Sequence, residues 1–120
     1  MAEDCIFCQI VEGKIPSYKV WEDENFLAFL DIHPASAGHT LVIPKKHFRW
    51  VWEIENYGDY FEKVREVALL LKKKLEAEWI QMNVMGIDVS HAHVHLVPHN
   101  LVNREEEKEN FAEILKRIKE

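Results

Sequence analysis

The sequence predicts an α+β domain: a five-stranded, mainly antiparallel sheet carrying one long helix, a short N-terminal helix and a C-terminal helix. Three observations predict it. Short apolar runs are joined by hairpin-length connections. A single long segment repeats its apolar residues every three or four positions. A final strand alternates histidine with aliphatic residues. At 120 residues the chain has the length of one domain. Residues 1–100 are expected to form its body and 101–120 a helical extension packed on it.

Each element has a local reason. Ile6, Ile10 and Phe7 fall at helical spacing before Gly13, which predicts one short helix stopped at that glycine. Tyr18–Glu22 and Phe26–Leu30 flank Asp23-Glu24-Asn25 and read as a hairpin. Residues 31–38 (Asp-Ile-His-Pro-Ala-Ser-Ala-Gly) are a breaker-rich loop. His39–Ile43 is the next strand, stopped by Pro44. Tyr57, Tyr60, Phe61, Val64, Val67, Ala68, Leu71 and Leu75 form the stripe of a helix of about five turns, with Asn56 as its cap. Ile80–Met85 and His91–Val97 are two further strands around a loop at Gly86. The last helix is expected to start at an Asn103 cap with Glu105, Glu106 and Glu107 in its first turn. It would end on Lys116, Arg117 and Lys119, a charge order that suits the helix dipole.

Composition narrows the function. A hydrophobic content of 48% with 30% charged residues describes a globular protein. The formal net charge of −6 argues against duplex nucleic acid as a partner, which needs a basic face. The N-terminal residues Met1-Ala2-Glu3-Asp4 are acidic and no apolar run approaches a membrane span. A cytoplasmic protein without a membrane partner is therefore expected. Two cysteines are too few for a disulfide scaffold, and their Cys5-x-x-Cys8 spacing suits a metal or a redox couple.

The chemistry concentrates in His91-Ala92-His93-Val94-His95. Alternation turns the three imidazoles to one side, and the sequence predicts them displayed on an exposed strand face while Ala92, Val94 and Leu96 enter the core. His91 and His95 are four strand steps apart, roughly 13 Å at about 3.3 Å per residue. A zinc ion sits only about 2.0–2.1 Å from each nitrogen, so one metal can hardly gather all three. The rings must divide their work.

This run resembles the signature of the histidine-triad (HIT) superfamily of nucleotide-binding hydrolases and transferases. Cys5-Ile6-Phe7-Cys8, Phe29-Leu30-Asp31-Ile32 and Gly38-His39-Thr40-Leu41-Val42-Ile43-Pro44-Lys45-x-His47 agree with it in order and spacing. The resemblance covers residues 5–98. It implies a hydrolase that cleaves purine nucleoside phosphoramidates, or related nucleoside phosphate conjugates, to the nucleoside monophosphate. The middle imidazole, His93, would attack the α-phosphorus and carry a phosphohistidine intermediate. His95 would donate to phosphate, partnered by His39. Asp31 is then the ribose ligand, Ile32 lines the base pocket, and Asn83 contacts the phosphate side. Cys5, Cys8, His47 and His91 resemble the structural zinc site of bacterial members, a closed Cys₂His₂ set. Free thiols or a redox pair are the other readings of the cysteines, although no strand precedes Cys5 as a thioredoxin-like pair prefers. Asp31 is also an ordinary turn residue, and His39 alone an ordinary strand-edge histidine. The likeness further implies a homodimer.

The chain departs from the family in the loop from Asn83 to His91, which is short. The usual glycine-glutamine pair reads Gly86-Ile87, a polar leaving-group residue becomes Asp88, and His99 stands where an arginine often follows the proline. Two other functions therefore stay open beside phosphoramidate hydrolysis: a nucleotide-binding protein with little catalysis, and a dinucleoside polyphosphate hydrolase. A zinc-binding structural domain without nucleotide is a third. Trp50 and Trp52 are expected in core or subunit-interface packing, and Lys45-Lys46 in a solvated turn.

Overall fold

The computed structural model describes residues 5–100 and 107–120. Helix α1 (Ile6–Val11) leads into strands β1 (Lys19–Glu22), β2 (Phe26–Leu30) and β3 (Thr40–Pro44). A 3-10 turn at Val51–Glu53 precedes helix α2 (Tyr57–Lys74), strands β4 (Trp79–Val84) and β5 (Val94–His99), and helix α3 (Phe111–Lys119). The sheet order is β1-β2-β3-β5-β4, and every neighbouring pair is antiparallel. The predicted fold class is what the chain adopts. Among the described residues no helix is long and apolar enough to cross a membrane.

The central strands β2 and β3 are buried at every position, so both faces of the sheet must be covered. Period-two alternation sorts their side chains. Phe26, Ala28, Leu30 and Val42 join Val64, Leu71, Ile114 and Ile118 in the core beneath α2 and α3. Leu27, Phe29, Leu41 and Ile43 meet Phe7, Cys8 and Ile10 of α1 on the opposite face. Tyr60, itself fully buried, keeps its hydroxyl satisfied by donating to the Val42 carbonyl at 2.7 Å.

Two boundaries and one packing expectation differ materially from the sequence reading. Asn103, Glu105 and Glu106 lie outside the described residues. Glu107 belongs to a turn, and α3 begins at Phe111 after Asn110, with Lys116, Arg117 and Lys119 in its last turn as expected. Phe111 stacks on Tyr18 at 5.2 Å, which anchors that start to the segment entering β1. Strand β5 begins at Val94 rather than His91. Residues 91–93 are instead tied sideways, with the Ala92 N–H donating to the Phe48 carbonyl at 2.7 Å. Finally, Trp50 and Trp52 do not enter the core. They stack face to face at 5.0 Å, with the Arg49 guanidinium 3.6 Å from the Trp50 ring, and Trp52 is exposed.

Candidate active site and metal centre

The alternation through the histidine run survives, but the exposed face does not. Ala92, Val94 and Leu96 enter the core under α2. The imidazoles take the other face, where α1 already lies. His91 and His93 are 0% exposed, and only His95 is partly open. The covering group is Phe7, whose ring meets His91 edge-on at 5.8 Å and His93 at 5.2 Å. The sequence reading of three displayed rings is corrected: a strand face beside α1 is a buried face.

Ring hydrogen bonds assign each histidine its tautomer. The His91 Nε2–H donates to the Pro44 carbonyl at 2.8 Å, so its Nδ1 keeps a lone pair. That Nδ1 lies 3.2 Å from Cys5 Sγ and 3.5 Å from Cys8 Sγ, and His47 Nδ1 lies 3.3 Å from Cys8 Sγ. All four ligand atoms fall within 4.8 Å of one another. A tetrahedral zinc with bonds of about 2.3 Å to sulfur and about 2.0–2.1 Å to nitrogen would hold sulfur and nitrogen roughly 3.5 Å apart. The set fits. The Pro44 carbonyl supplies the outer hydrogen bond that orients a metal-binding imidazole. Burial pushes the Cys8 thiol up to about 12, with Cys5 adding to it, and pulls His91 down to about 4. Without a cation these groups stay neutral.

His93 is turned the other way. Its Nδ1–H donates to the His91 carbonyl at 2.7 Å, which leaves the lone pair on Nε2. That nitrogen is buried and, among the described residues, has no hydrogen-bond partner; Asp88 Oδ1 stands 3.2 Å away without completing one. His95 is set by a relay. The Ala35 N–H donates to His39 Nδ1 at 3.0 Å, so a neutral His39 carries its proton on Nε2. His39 Nε2 lies 3.0 Å from His95 Nδ1, which must accept. The His95 proton is thereby driven to Nε2, 3.7 Å from Asp88 Oδ2. One face of the sheet thus presents a nucleophilic lone pair on His93 and an N–H donor on His95. Burial lowers the His39 and His95 pKa values, which keeps both rings neutral; Asp31 opposes this at His39, and Asp88 and Asp31 oppose it at His95. Burial also works against the Asp88 charge, but the His93 and His95 rings and its own backbone N–H groups outweigh it and lower its pKa.

A cavity of about 530 Å³ opens beside these rings, lined by Phe7, Phe29, Leu41 and Val89 and edged by Asp31, His39, His95 and Asp88. Asp31 Oδ1 accepts the His33 N–H at 2.8 Å, the turn bond its sequence context allows. Its Oδ2 lies 3.5 Å from His39 Nε2. Ile32 is at the rim, 62% exposed. Asn83 pairs directly opposite His95 across β4–β5 and so shares its face; its Oδ1 accepts from Gln81 at 3.1 Å. His99 is drawn off to Gln81 Oε1 at 2.7 Å and stacks on Trp79 at 4.1 Å. Of the two lysines, Lys45 pairs with Glu22 and Lys46 with Glu55, each at 2.7 Å.

Phe7 is the lining residue that sequence reasoning passed over as a helix-stripe residue. Its signal was present: it sits between two cysteines aimed at His91, so it had to land near His93.

This fold and this triad define a HIT-domain protein: residues 12–101 match the HIT domain family model, and the chain belongs to that family. Protein hit of Bacillus subtilis is 44% identical over 106 residues, covering 81% of this chain and 72% of that protein. A Schizosaccharomyces pombe protein named adenosine 5'-monophosphoramidase is 39% identical over 102 residues, 78% of this chain and 73% of its own length. Among solved structures, a HIT-like protein from Bartonella henselae superposes with a TM-score of 0.80 at 30% identity, covering 97% of both chains. A zinc-bound HIT family protein from Mycobacterium smegmatis gives 0.76 at 29% identity, covering 98% of this chain and 94% of that one.

Proposed function

We propose that the chain hydrolyses purine nucleoside phosphoramidates or related nucleoside phosphate conjugates through a covalent intermediate on His93. The observation that carries this reading is the pair of opposed tautomers: a lone pair on His93 Nε2 beside a donor on His95 Nε2, with the relay from Ala35 through His39 holding the second in place. His93 Nε2 attacks the α-phosphorus and forms an N–P bond. The bond to the leaving amine breaks, and the amine departs with the electron pair and takes up a proton. Water then attacks phosphorus, the N–P bond breaks, and the nucleoside monophosphate leaves with His93 restored. His95 donates to a nonbridging oxygen throughout. Asp31 is assigned to the ribose hydroxyls, Ile32 to the base and Asn83 to the phosphate side. The activity named for the Schizosaccharomyces pombe relative supports the substrate class.

Incubation with adenosine phosphoramidate followed by denaturing mass spectrometry should trap a nucleotidyl adduct on His93. His93→Ala should lose about four orders of magnitude in turnover, the scale set by loss of a covalent nucleophile. Equal inertness of both proteins sinks the hydrolase reading. A binding protein with little catalysis is the second reading, favoured by the burial of His93 under Phe7 and Asp88. Saturable nucleoside monophosphate binding with no adduct would establish it.

The Cys5, Cys8, His47 and His91 set is proposed to hold structural zinc, which would crosslink α1 to the segment before β5 and so fix Phe7 over His93. A homodimer is proposed through the edge strand β4, where Trp79, Met82 and Val84 are exposed. Sedimentation showing only a 14.2 kDa species at micromolar concentration would count against it.

A further inference from the structure

We propose that Asp88 sets how much negative charge the site accepts, because its carboxylate lies in the space between His93 and His95 into which a phosphate must come. Its Oδ1 is 3.2 Å from His93 Nε2 and its Oδ2 is 3.7 Å from His95 Nε2. A phosphate whose phosphorus comes within reach of His93 Nε2, with an oxygen accepting from His95 Nε2–H, would meet both carboxylate oxygens. The inference rests on the hydrolase reading only in naming nucleotides as the ligands.

The backbone that carries Asp88 is held in place, while its side chain is free to turn. The loop that carries Asp88 is fastened at its base. The Arg49 guanidinium donates to the Gly86 carbonyl at 2.7 Å while lying over Trp50. Gly86 packs flush on that ring, since a Cβ there would meet Trp50 Cζ3 at 3.1 Å, and its φ of +93° suits glycine. Asp88 itself is about half exposed, with its side chain open to solvent. An incoming phosphate can therefore displace the carboxylate by side-chain rotation while the backbone stays in place. The displaced carboxylate remains at the mouth of the cavity. Each further phosphate on a nucleotide must then pass a negative charge anchored on that loop. Among the described residues His93 Nε2 makes no hydrogen bond to that carboxylate, so a single phosphate displaces only its charge attraction to the two rings, while the repulsion grows with the length of the tail.

The test is titration calorimetry on the full chain with inorganic phosphate, adenosine monophosphate, diphosphate and triphosphate. Wild type is compared with Asp88→Asn and, as a second variant, Asp88→Ser. Wild type should bind the monophosphate most tightly and weaken with each added phosphate. Both variants should gain about tenfold in affinity for inorganic phosphate, and their diphosphate-to-monophosphate affinity ratio should rise by about tenfold. Unchanged phosphate affinity and unchanged ratios in both variants would overturn the proposal. Gain for inorganic phosphate with no nucleotide bound by any protein would uphold Asp88 as the charge filter and remove the nucleotide reading instead. Variants that bind as wild type but lose turnover would also overturn it, assigning Asp88 to the chemistry.

Discussion

Three imidazoles in one short run alternate between two protonation patterns, and none is set by the histidine itself. His91 is fixed by the Pro44 carbonyl, His93 by the His91 carbonyl, and His95 by His39, which is fixed in turn by the Ala35 N–H. The sequence predicts that the row must divide its labour, because spacing alone forbids one shared metal. It could not predict the order of the protons, which depends on a loop amide 60 residues upstream of His95. His39→Leu tests the relay. It removes the ring that holds His95 in its donor form, so turnover should fall by about 10²-fold with the protein still folded. Single-turnover kinetics checks this, and unchanged rates would show that His95 orients without help. Burial was the other illegible property: a polar face reads as exposed until the helix that covers it is known.

At the scale of elements, the legible parts were those with strong periodicity. Helix α2 runs Tyr57–Lys74 where its apolar stripe placed it, and the β1–β2 hairpin closes over Asp23. The Asp23 side chain accepts from the Phe26 N–H, a turn bond that the Asp-Glu-Asn spacer allows. Less legible were α3 and β5, where packing against Tyr18 and the bond from Ala92 to Phe48 decide the boundaries. The join before β3 is the tightest point. Gly38 has φ +86°, and a Cβ there would lie 2.2 Å from Leu75 Cδ1 and 3.3 Å from Pro98 Cγ. Gly38→Ala should therefore destabilise the fold by about 2–3 kcal/mol, read as a lower denaturant midpoint. By contrast Tyr60→Phe, which removes the donor to the Val42 carbonyl, should cost about 1 kcal/mol. A cost at Tyr60 exceeding that at Gly38 would contradict this ranking.

The whole molecule is held on one face by an apolar core and on the other by α1, whose own helix is only six residues long. Such a segment needs a tether, and the four-ligand set is placed to provide one. Cys8→Ala should lower the melting temperature of zinc-loaded protein and release the metal, read by elemental analysis; a metal-loaded variant of wild-type stability would contradict the tether. Acid should act in the same direction. In the metal-free protein His91 is held near 4 against an ordinary 6.5, so the unfolded chain binds its proton first as pH falls. Stability is then full above about pH 6.5 and is lost towards pH 4, by up to about 3 kcal/mol from His91, with His39 and His95 adding in the same sense. Denaturation midpoints between pH 7.5 and 4.5 read this, and a flat profile would contradict it. The division of labour among the rings underlies the proposed chemistry, and ¹⁵N NMR of the imidazole nitrogens at pH 8 observes it directly. His93 should show its proton on Nδ1 and a bare Nε2, while His95 shows the reverse; the same tautomer in both rings, or the two exchanged, would contradict the assignment of nucleophile and donor.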